Sequence, residues 1–538
     1  MEIPAKKVVF GEAARGAVMD GAKQLYDGVR VTMGLSGRRL LIEEDYGIRF
    51  TMDGIGVARE IDLEDKEEEM GVCLLREAAN KTNMEAGDGT TTATVLTYKM
   101  MDAGIKEIQK GRNAIAIKEG MDIACEAVVG RMLKDSIKAD GKEDYFDIAK
   151  VASRDDEIAK TISDLMEKLG KDGVIVIEPG QAIGLNTQFT EGLQYDNGYL
   201  SPYFMTSPDG INEMENPYIL LLDDTLTDPY DMLPIMQKIE EEAAKEGKPF
   251  SILVIAHDVV SGALTTLVAN KMKNICLTCA VRAPFWGERQ KEALEDLAVV
   301  TGGKVIMPEA NMHLKDMSIE MLGRCKKVIT DRETCTIYEG GASDDDVDAH
   351  IKSIRERMER GEPGFEHDKL EERIARLKHG IAIVKVGGAT ETEAREKLDR
   401  VEDALGAVKS AAQEGIVPGA GTSLINASIS VDDPIFAGLG KDELVGVKIV
   451  MDALPAVCQQ IAENCGVNGE HISLKVGEAE DPKHGFSAKT KDVVDLFEAK
   501  VINAVKVEKC ALKNATSIAG MFLTTEGVIT RVPQKPQA

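Results

Sequence analysis

The run Gly87-Asp88-Gly89-Thr90-Thr91-Thr92-Ala93 puts two glycines, a carboxylate and three hydroxyls in seven residues, and an apolar helical rhythm (Ala93, Val95, Leu96, Met100) follows at once. Such a loop feeds a helix N-terminus, where unpaired backbone N–H groups and the positive end of the helix dipole favour an anion. Glycine lets the backbone come close to phosphate oxygens, the threonines add donors, and Asp88 is a ligand for Mg²⁺, a hard cation that prefers oxygen. The chemistry is a nucleoside-triphosphate site of a kind other than the P-loop, because no G-x-x-x-x-G-K-[ST] occurs in the chain. Taken alone, the same run is also an ordinary helix start after a polar turn.

Three further segments carry similar types. Thr32-Met33-Gly34-Leu35-Ser36-Gly37-Arg38 and Thr51-Met52-Asp53-Gly54 are Gly/Thr turns, the second acidic. Arg400-Val401-Glu402-Asp403-Ala404-Leu405 lies on a helical pattern (Val401, Leu405, Val408) that runs to a glycine turn, Gly415 to Gly421. Asp53, Asp88 and Asp403 form one carboxylate set only if the fold gathers them; by spacing alone Asp403 is a helix-surface carboxylate.

The elements that must position them read as follows. Residues 10–135 are long amphipathic helices, one from about Leu63 to Asn83 with Met70, Leu74, Leu75 and Ala78 on one face. From 172 to 260 short β-type runs alternate with helices: Val174 to Ile177, Tyr218 to Leu222, Ile252 to Ile255. Residues 344–379, opening on Asp344-Asp345-Asp346, suggest two solvated helices. A strand from Ile381 leads through Gly387-Gly388 into helix, and the tail 533–538 is polar, with disorder expected. No internal repeat is evident. The helical character of the start returns at the end, which predicts a discontinuous domain with an inserted α/β module.

With 538 residues the chain can hold several domains. Aromatics are 4% of it, with Trp286 the one tryptophan, so the core must rest on aliphatics and the 23 methionines. A net charge of −27 argues against nucleic-acid or anionic-membrane partners. Scattered cysteines and the lack of a basic, then apolar, leader predict a reducing, cytoplasmic setting. Cys276-Leu277-Thr278-Cys279 lies in a strand-like run that would point its thiols to opposite faces, and no second pair answers it, so no zinc site is expected. No run of eighteen apolar residues predicts a transmembrane helix.

Val57-Ala58-Arg59-Glu60 with Leu63-Glu64-Asp65-Lys66, the run from Gly87 to Leu96, and Asp172-Gly173-Val174-Ile175 form an ordered series. Gly198-Tyr199-Leu200-Ser201-Pro202-Tyr203-Phe204, Arg400 to Leu405, and Ala519-Gly520 with Thr524-Thr525-Glu526 continue it. Together they resemble a GroEL-type (group I) chaperonin, somewhat diverged, along almost the whole chain. The resemblance implies a multi-domain α+β fold. A mostly helical equatorial ATP-binding domain would comprise 1–135 and 414–538, a small intermediate hinge domain 136–191 and 382–413, and an inserted α/β apical substrate-binding domain 192–381. It also implies an ATP-driven homo-oligomeric ring, heptameric in the family, that encloses unfolded polypeptides with a GroES-type lid and uses ATP, Mg²⁺ and K⁺. The acidic charge then suits a hydrophilic chamber wall, or serves solubility alone.

Carried over by residue, Asp88 would ligate Mg²⁺, and Gly87, Gly89, Thr90, Thr91 and Thr92 would cradle phosphate with Thr32, Met33 and Gly34. Gly419, Ala420, Ser487, Ala488 and Asn503 would form the adenine and ribose edge. Asp53 would polarise the attacking water. Asp403, delivered by the intermediate domain when a hinge closes, would act as base or water-orienter. Gly192, Gly387 and Gly388 fall at the domain crossings as hinges or as plain turns. Tyr199, Tyr203, Phe204, Leu233, Met236, Leu264, Val268 and Ala269 would form an apolar client face, or else point into the core, as is expected of Leu267.

The chain also departs from the family. Leu35-Ser36 stands for Pro-Lys, Met52 for lysine, Ala420 for glycine, Ser487-Ala488-Lys489 for Asn-Ala-Ala, Asn503 for aspartate and Val260 for glutamate, and the stretch after Val151 is shortened. These leave open a client-holding scaffold with weak ATPase. A small-molecule kinase, expected as a compact monomer or dimer, is the other alternative.

Overall fold

The computed structural model of the chain describes residues 6–531 apart from 45–46, 140, 171–172, 181, 191, 208–209, 247–249, 361–368, 371–372, 375, 378–380 and 432. The polar tail at 533–538 lies outside the described residues, as does much of the second helix expected before 379. The chain divides into two compact units: Met1–Lys171, Pro179–Asn186 and Val386–Ala538 make the first, Asp172–Glu178 and Thr187–Lys385 the second. An α/β module is thus inserted into a helical one, as the return of helical character at the chain's end predicts.

In the first unit the helices Gly11–Arg30, Lys66–Ala86, Thr90–Gln109, Ala114–Asp135, Lys441–Ala453 and Val505–Leu523 share one core. Leu25, Leu75, Leu96, Val450, Leu512 and Phe522 fill it together with the buried Met100, Met101, Met121 and Met132. Flexible thioethers there take the place of scarce aromatics. Helix Lys66–Ala86 begins later than expected because the Asp65 carboxylate caps Glu67 and Glu68 N–H, and it ends at Gly87 in the left-handed region (φ 71°). Its buried face is Gly71, Val72, Leu75, Ala78 and Ala79, while Met70 is exposed, which corrects the predicted stripe. Backbone contact sets that rotation. A methyl on Gly71 would lie 1.9 Å from Val18 O, and one on Gly21 would lie 1.8 Å from Glu68 O. Helices Ala114–Asp135 and Lys441–Ala453 cross in the same way, Gly120 against Glu443 O and Gly446 against Ile117 O.

The stretch Lys441–Asn464 has the length and mean hydropathy (1.4) to cross a membrane, which a search for unbroken apolar runs does not find. It is divided at Leu454-Pro455 into two helices whose Val450, Ala453 and Val457 belong to the core. Among the described residues four antiparallel two-stranded ribbons complete the unit, and two of them present apolar side chains to solvent. Lys6–Phe10 pairs with Gly527–Arg531, and Leu40–Glu44 with Gly47–Thr51. Each shows solvent an apolar face, of Val8, Phe10 and Ile529 in the first and Leu41, Ile48 and Phe50 in the second.

The second unit is built on an eight-stranded mixed sheet. Tyr218–Leu226, Ser251–Val259 and Leu277–Arg282 run parallel and are joined through helices Leu233–Glu246 and Ser261–Met272. Buried on both faces, these strands read as near-continuous apolar runs. Gly323–Thr330 turns the sheet antiparallel and pairs with Cys335–Gly340. Cys276 and Cys279 are buried and free, and among the described residues no group of three His, Cys, Asp or Glu side chains forms a metal cage.

Candidate functional site

Asp53 caps helix Gly54–Glu60, its two carboxylate oxygens accepting from Ile55 N (3.1 Å) and Gly56 N (2.7 Å). A methyl on Gly54 would sit 2.2 Å from Thr91 Oγ1, so the Asp53 turn lies directly on the Gly87–Thr92 loop. Helix Thr90–Gln109 starts at Gly89 (φ 90°) with no side-chain cap. The hydroxyls of Thr90, Thr91 and Thr92 make no hydrogen bond among the described residues. An uncapped N-terminus with unspent hydroxyls is a ready anion site.

Helix Glu391–Glu414 reaches this loop through glycine on glycine: a methyl on Gly87 would lie 2.6 Å from Gly406 Cα. Ser410 Oγ donates to Ala86 O at 2.7 Å beside it. That contact brings in Asp403, one turn before Gly406. The three carboxylates then feel one another. Burial, and after it the charge of Asp53, push Asp88 up to about 6, against the Gly89 N–H and Arg154. Burial and then Asp88 and Asp53 push Asp403 well above the usual carboxylate range. Asp53 is also raised, by burial, against its two N–H donors and Arg59. Asp403 was expected to arrive only on hinge closure; in this conformation it is already there, inside one compact unit.

The donor set suits a cation that takes most of its ligands from phosphate and water, since the carboxylates do not form a cage by themselves. On the opposite edge, Val417 pairs with Asn503, and Gly419 N donates to Val501 O (3.0 Å). A methyl on Gly485 would meet Thr422 Oγ1, which joins the hairpin bearing Ser487 and Ala488 to the Gly419–Ala420 turn. Ala420 adopts φ 54°, a left-handed conformation natural to glycine. Met33 is buried, and Gly34 (φ 77°) packs on Ile461. The Thr32 hydroxyl is buried and donates to Val29 O, so this turn offers backbone rather than hydroxyl to a ligand.

Sequence reading missed four residues. Asp399 (pushed up to about 6) and Glu402 (about 7) are raised mainly by burial and share a helix face with Asp403; the i, i+3, i+4 spacing was the available signal. Glu508, 1% exposed, accepts from Asn503 Nδ2 (2.7 Å) through one oxygen, its other oxygen is unpaired, and burial lifts it to about 7. Arg154, in the shortened stretch after Val151, donates to Thr32 O (3.2 Å) and lies 3.9 Å from Met52 Sδ. No periodicity marks it.

Of the expected client face, all in the second unit, Tyr203 (65%) and Leu233 (40%) are exposed, and Tyr199, Leu264, Val268 and Ala269 are partly so. Phe204 and Met236 are a correction: both are buried in the core of that unit, and Asn212 Nδ2 donates to the Phe204 carbonyl. The expected hinge glycines leave no room for a side chain. Methyls on Gly192, Gly387 and Gly388 would meet Ile337 O at 2.2 Å, Ala182 O at 2.0 Å and Ala394 N at 2.6 Å.

A profile of the TCP-1/cpn60 chaperonin family matches residues 25–533. Among solved structures, the chaperonin gp146 from the bacteriophage EL 2 (Pseudomonas aeruginosa), crystallised in the presence of ATP-BeFx, is similar in crystal form II with TM-score 0.75 and 21% identity, covering 98% of this chain and 99% of that one. Crystal form I of the same protein is similar with TM-score 0.65 and 20% identity over 98% and 99%. At these identities the likeness is one of fold.

Proposed function

Because the chain belongs to the TCP-1/cpn60 chaperonin family, we propose that it is an ATP-hydrolysing chaperonin, a homo-oligomeric ring that binds and encloses unfolded polypeptides in the cytoplasm. One observation carries the reading: Asp53, Asp88 and Asp403 converge on an uncapped helix N-terminus whose three threonine hydroxyls are unspent. The phage relative crystallised with ATP-BeFx supports a nucleotide as the ligand.

Residues Gly89 to Thr92 would hold the β- and γ-phosphates, with Gly419, Ala420, Ser487, Ala488 and Asn503 on the adenine and ribose edge. Asp88 would hold the Mg²⁺ that neutralises triphosphate charge, and K⁺ is a second cation of the proposed site. Asp53 and Asp403 would orient a water. Its oxygen bonds to the γ-phosphorus as the bond to the β–γ bridging oxygen breaks; ADP leaves with that electron pair and the water's proton passes to Asp403. A carboxylate whose proton affinity is raised by burial and by neighbouring charges is, while ionised, a competent base. Tyr199, Tyr203, Leu233, Leu264, Val268 and Ala269 would offer the client face. Domain limits at 135/136, 191/192, 381/382 and 413/414, hinges at Gly192, Gly387 and Gly388, a heptameric ring and a GroES-type lid belong to the same proposal.

Ala420, held at positive φ on the nucleotide edge, favours a second reading, a client-holding scaffold with weak ATPase. Single-turnover hydrolysis decides. The ATPase reading expects Asp403→Ala to lower the rate by roughly 10²–10³ while nucleotide still binds. An equal rate with and without Asp403 sinks it. A parent that elutes from a sizing column as a monomer or dimer sinks the ring and returns the small-molecule kinase.

A further inference from the structure

Five acidic side chains, Asp53, Asp88, Asp399, Glu402 and Asp403, crowd the candidate site, and a triphosphate adds more negative charge. A polyanion site lined by carboxylates needs cations that are not already spent. Three of the neighbouring arginines are engaged, Arg49 with Glu60 (2.8 Å) and Arg39 and Arg400 with Glu396, while Arg59, beside Asp53, is exposed to solvent. Arg154 differs. It is half-buried, and of its donors one meets Thr32 O at 3.2 Å and another the weak thioether acceptor of Met52 at 3.9 Å. Among the described residues no carboxylate lies within ion-pair distance of it. A half-buried guanidinium with unspent donors is placed to bind an anion.

Its backbone is fixed for the purpose. Arg154 takes a left-handed conformation (φ 57°) at the end of helix Lys142–Ser153, its N–H bonded to Lys150 O. The next residue, Asp155, caps helix Asp156–Leu169. Burial and the like charge of Arg400 oppose the charge on Arg154, and the carboxylates that favour it are Asp88 and Asp403, at the hydrolytic end of the site.

Resting on the nucleotide reading above, we infer that Arg154 is a ligand of the γ-phosphate, its guanidinium donating to the terminal oxygens and stabilising the charge that gathers there as the bond to ADP breaks. It supplies, from a helix corner, positive charge that Met52 and Ser36 do not provide at the phosphate turns. The alternative is a staple that merely ties the 153–155 corner to Thr32.

The full-length chain with Mg²⁺ is tested for equilibrium binding of ADP and of AMP-PNP, a triphosphate analogue with a nitrogen β–γ bridge, and for single-turnover ATP hydrolysis. Arg154→Gln should weaken AMP-PNP roughly tenfold or more, leave ADP within about twofold, and slow turnover roughly a hundredfold. Arg154→Lys should recover part of the AMP-PNP affinity, because it keeps the charge and loses the fork. Equal weakening of both nucleotides in both variants overturns the inference in favour of the staple, and so does parental behaviour of Arg154→Gln. A parent that binds neither nucleotide overturns the nucleotide reading itself, and Arg154's role with it.

Discussion

Glu508 is the buried group whose titration should be easiest to read. Its folded pKa, about 7, lies above the ordinary 4.5, so the stability it contributes is full below about 4.5 and is lost as pH rises through 7. Glu508→Gln keeps an acceptor for Asn503 and removes the charge. Denaturant melts should show the variant more stable than the parent above pH 7, by at most roughly 3 kcal/mol, and the two converging near pH 4.5. Ala420 is a second case: Ala420→Gly removes the left-handed cost and should raise stability by up to about 1 kcal/mol, read from the denaturant midpoint. At this scale the sequence was readable where chemistry has a motif. Asp53 and Asp88 stood out because glycine and threonine surround them. Arg154 and Glu508 did not, because a lone cation at a helix corner and a lone acid in an apolar helix have no spacing to betray them.

The helix Glu391–Glu414 shows what an element adds. Its acidic face of Asp399, Glu402 and Asp403 is useful only because Gly406 lets the helix backbone come down on Gly87. Gly406→Ala would put a methyl 2.5 Å from Gly87 O. It should cost roughly 1–3 kcal/mol in melts and lower single-turnover hydrolysis more than nucleotide affinity, since the strain falls at Gly87, on the edge of the proposed phosphate loop. Helix existence was legible from periodicity. The exact face and ends of Lys66–Ala86 were not, because they depend on the Asp65 cap and on Gly21 and Gly71 meeting a neighbour's carbonyls. Burial of Phe204 and Met236 was hidden for the same reason: an apolar stripe has one appearance whether it faces a client or the sheet behind it.

For the whole molecule, the insertion of an α/β unit into a helical one was legible because helical character is interrupted and then resumes. Two exposed ribbons, Lys6–Phe10 with Gly527–Arg531 and Leu40–Glu44 with Gly47–Thr51, bear on assembly. Each is two-stranded, marginal by itself, with open edges and an exposed apolar face. A ring needs such heterologous, edge-accepting surfaces on every copy. The double substitution Ile48→Lys, Phe50→Lys is expected to shift the protein from a large assembly to a small one on a sizing column while far-UV circular dichroism is retained, because both side chains are already in solvent.

The glycine seat under Gly406 also makes the long helix a lever. About 22 Å of rigid rod lies between that fulcrum and Glu391, against about 12 Å to Glu414 at the other end. A tilt begun at the proposed phosphate loop would therefore be magnified nearly twofold at the end from which, five residues earlier, the chain leaves for the inserted unit.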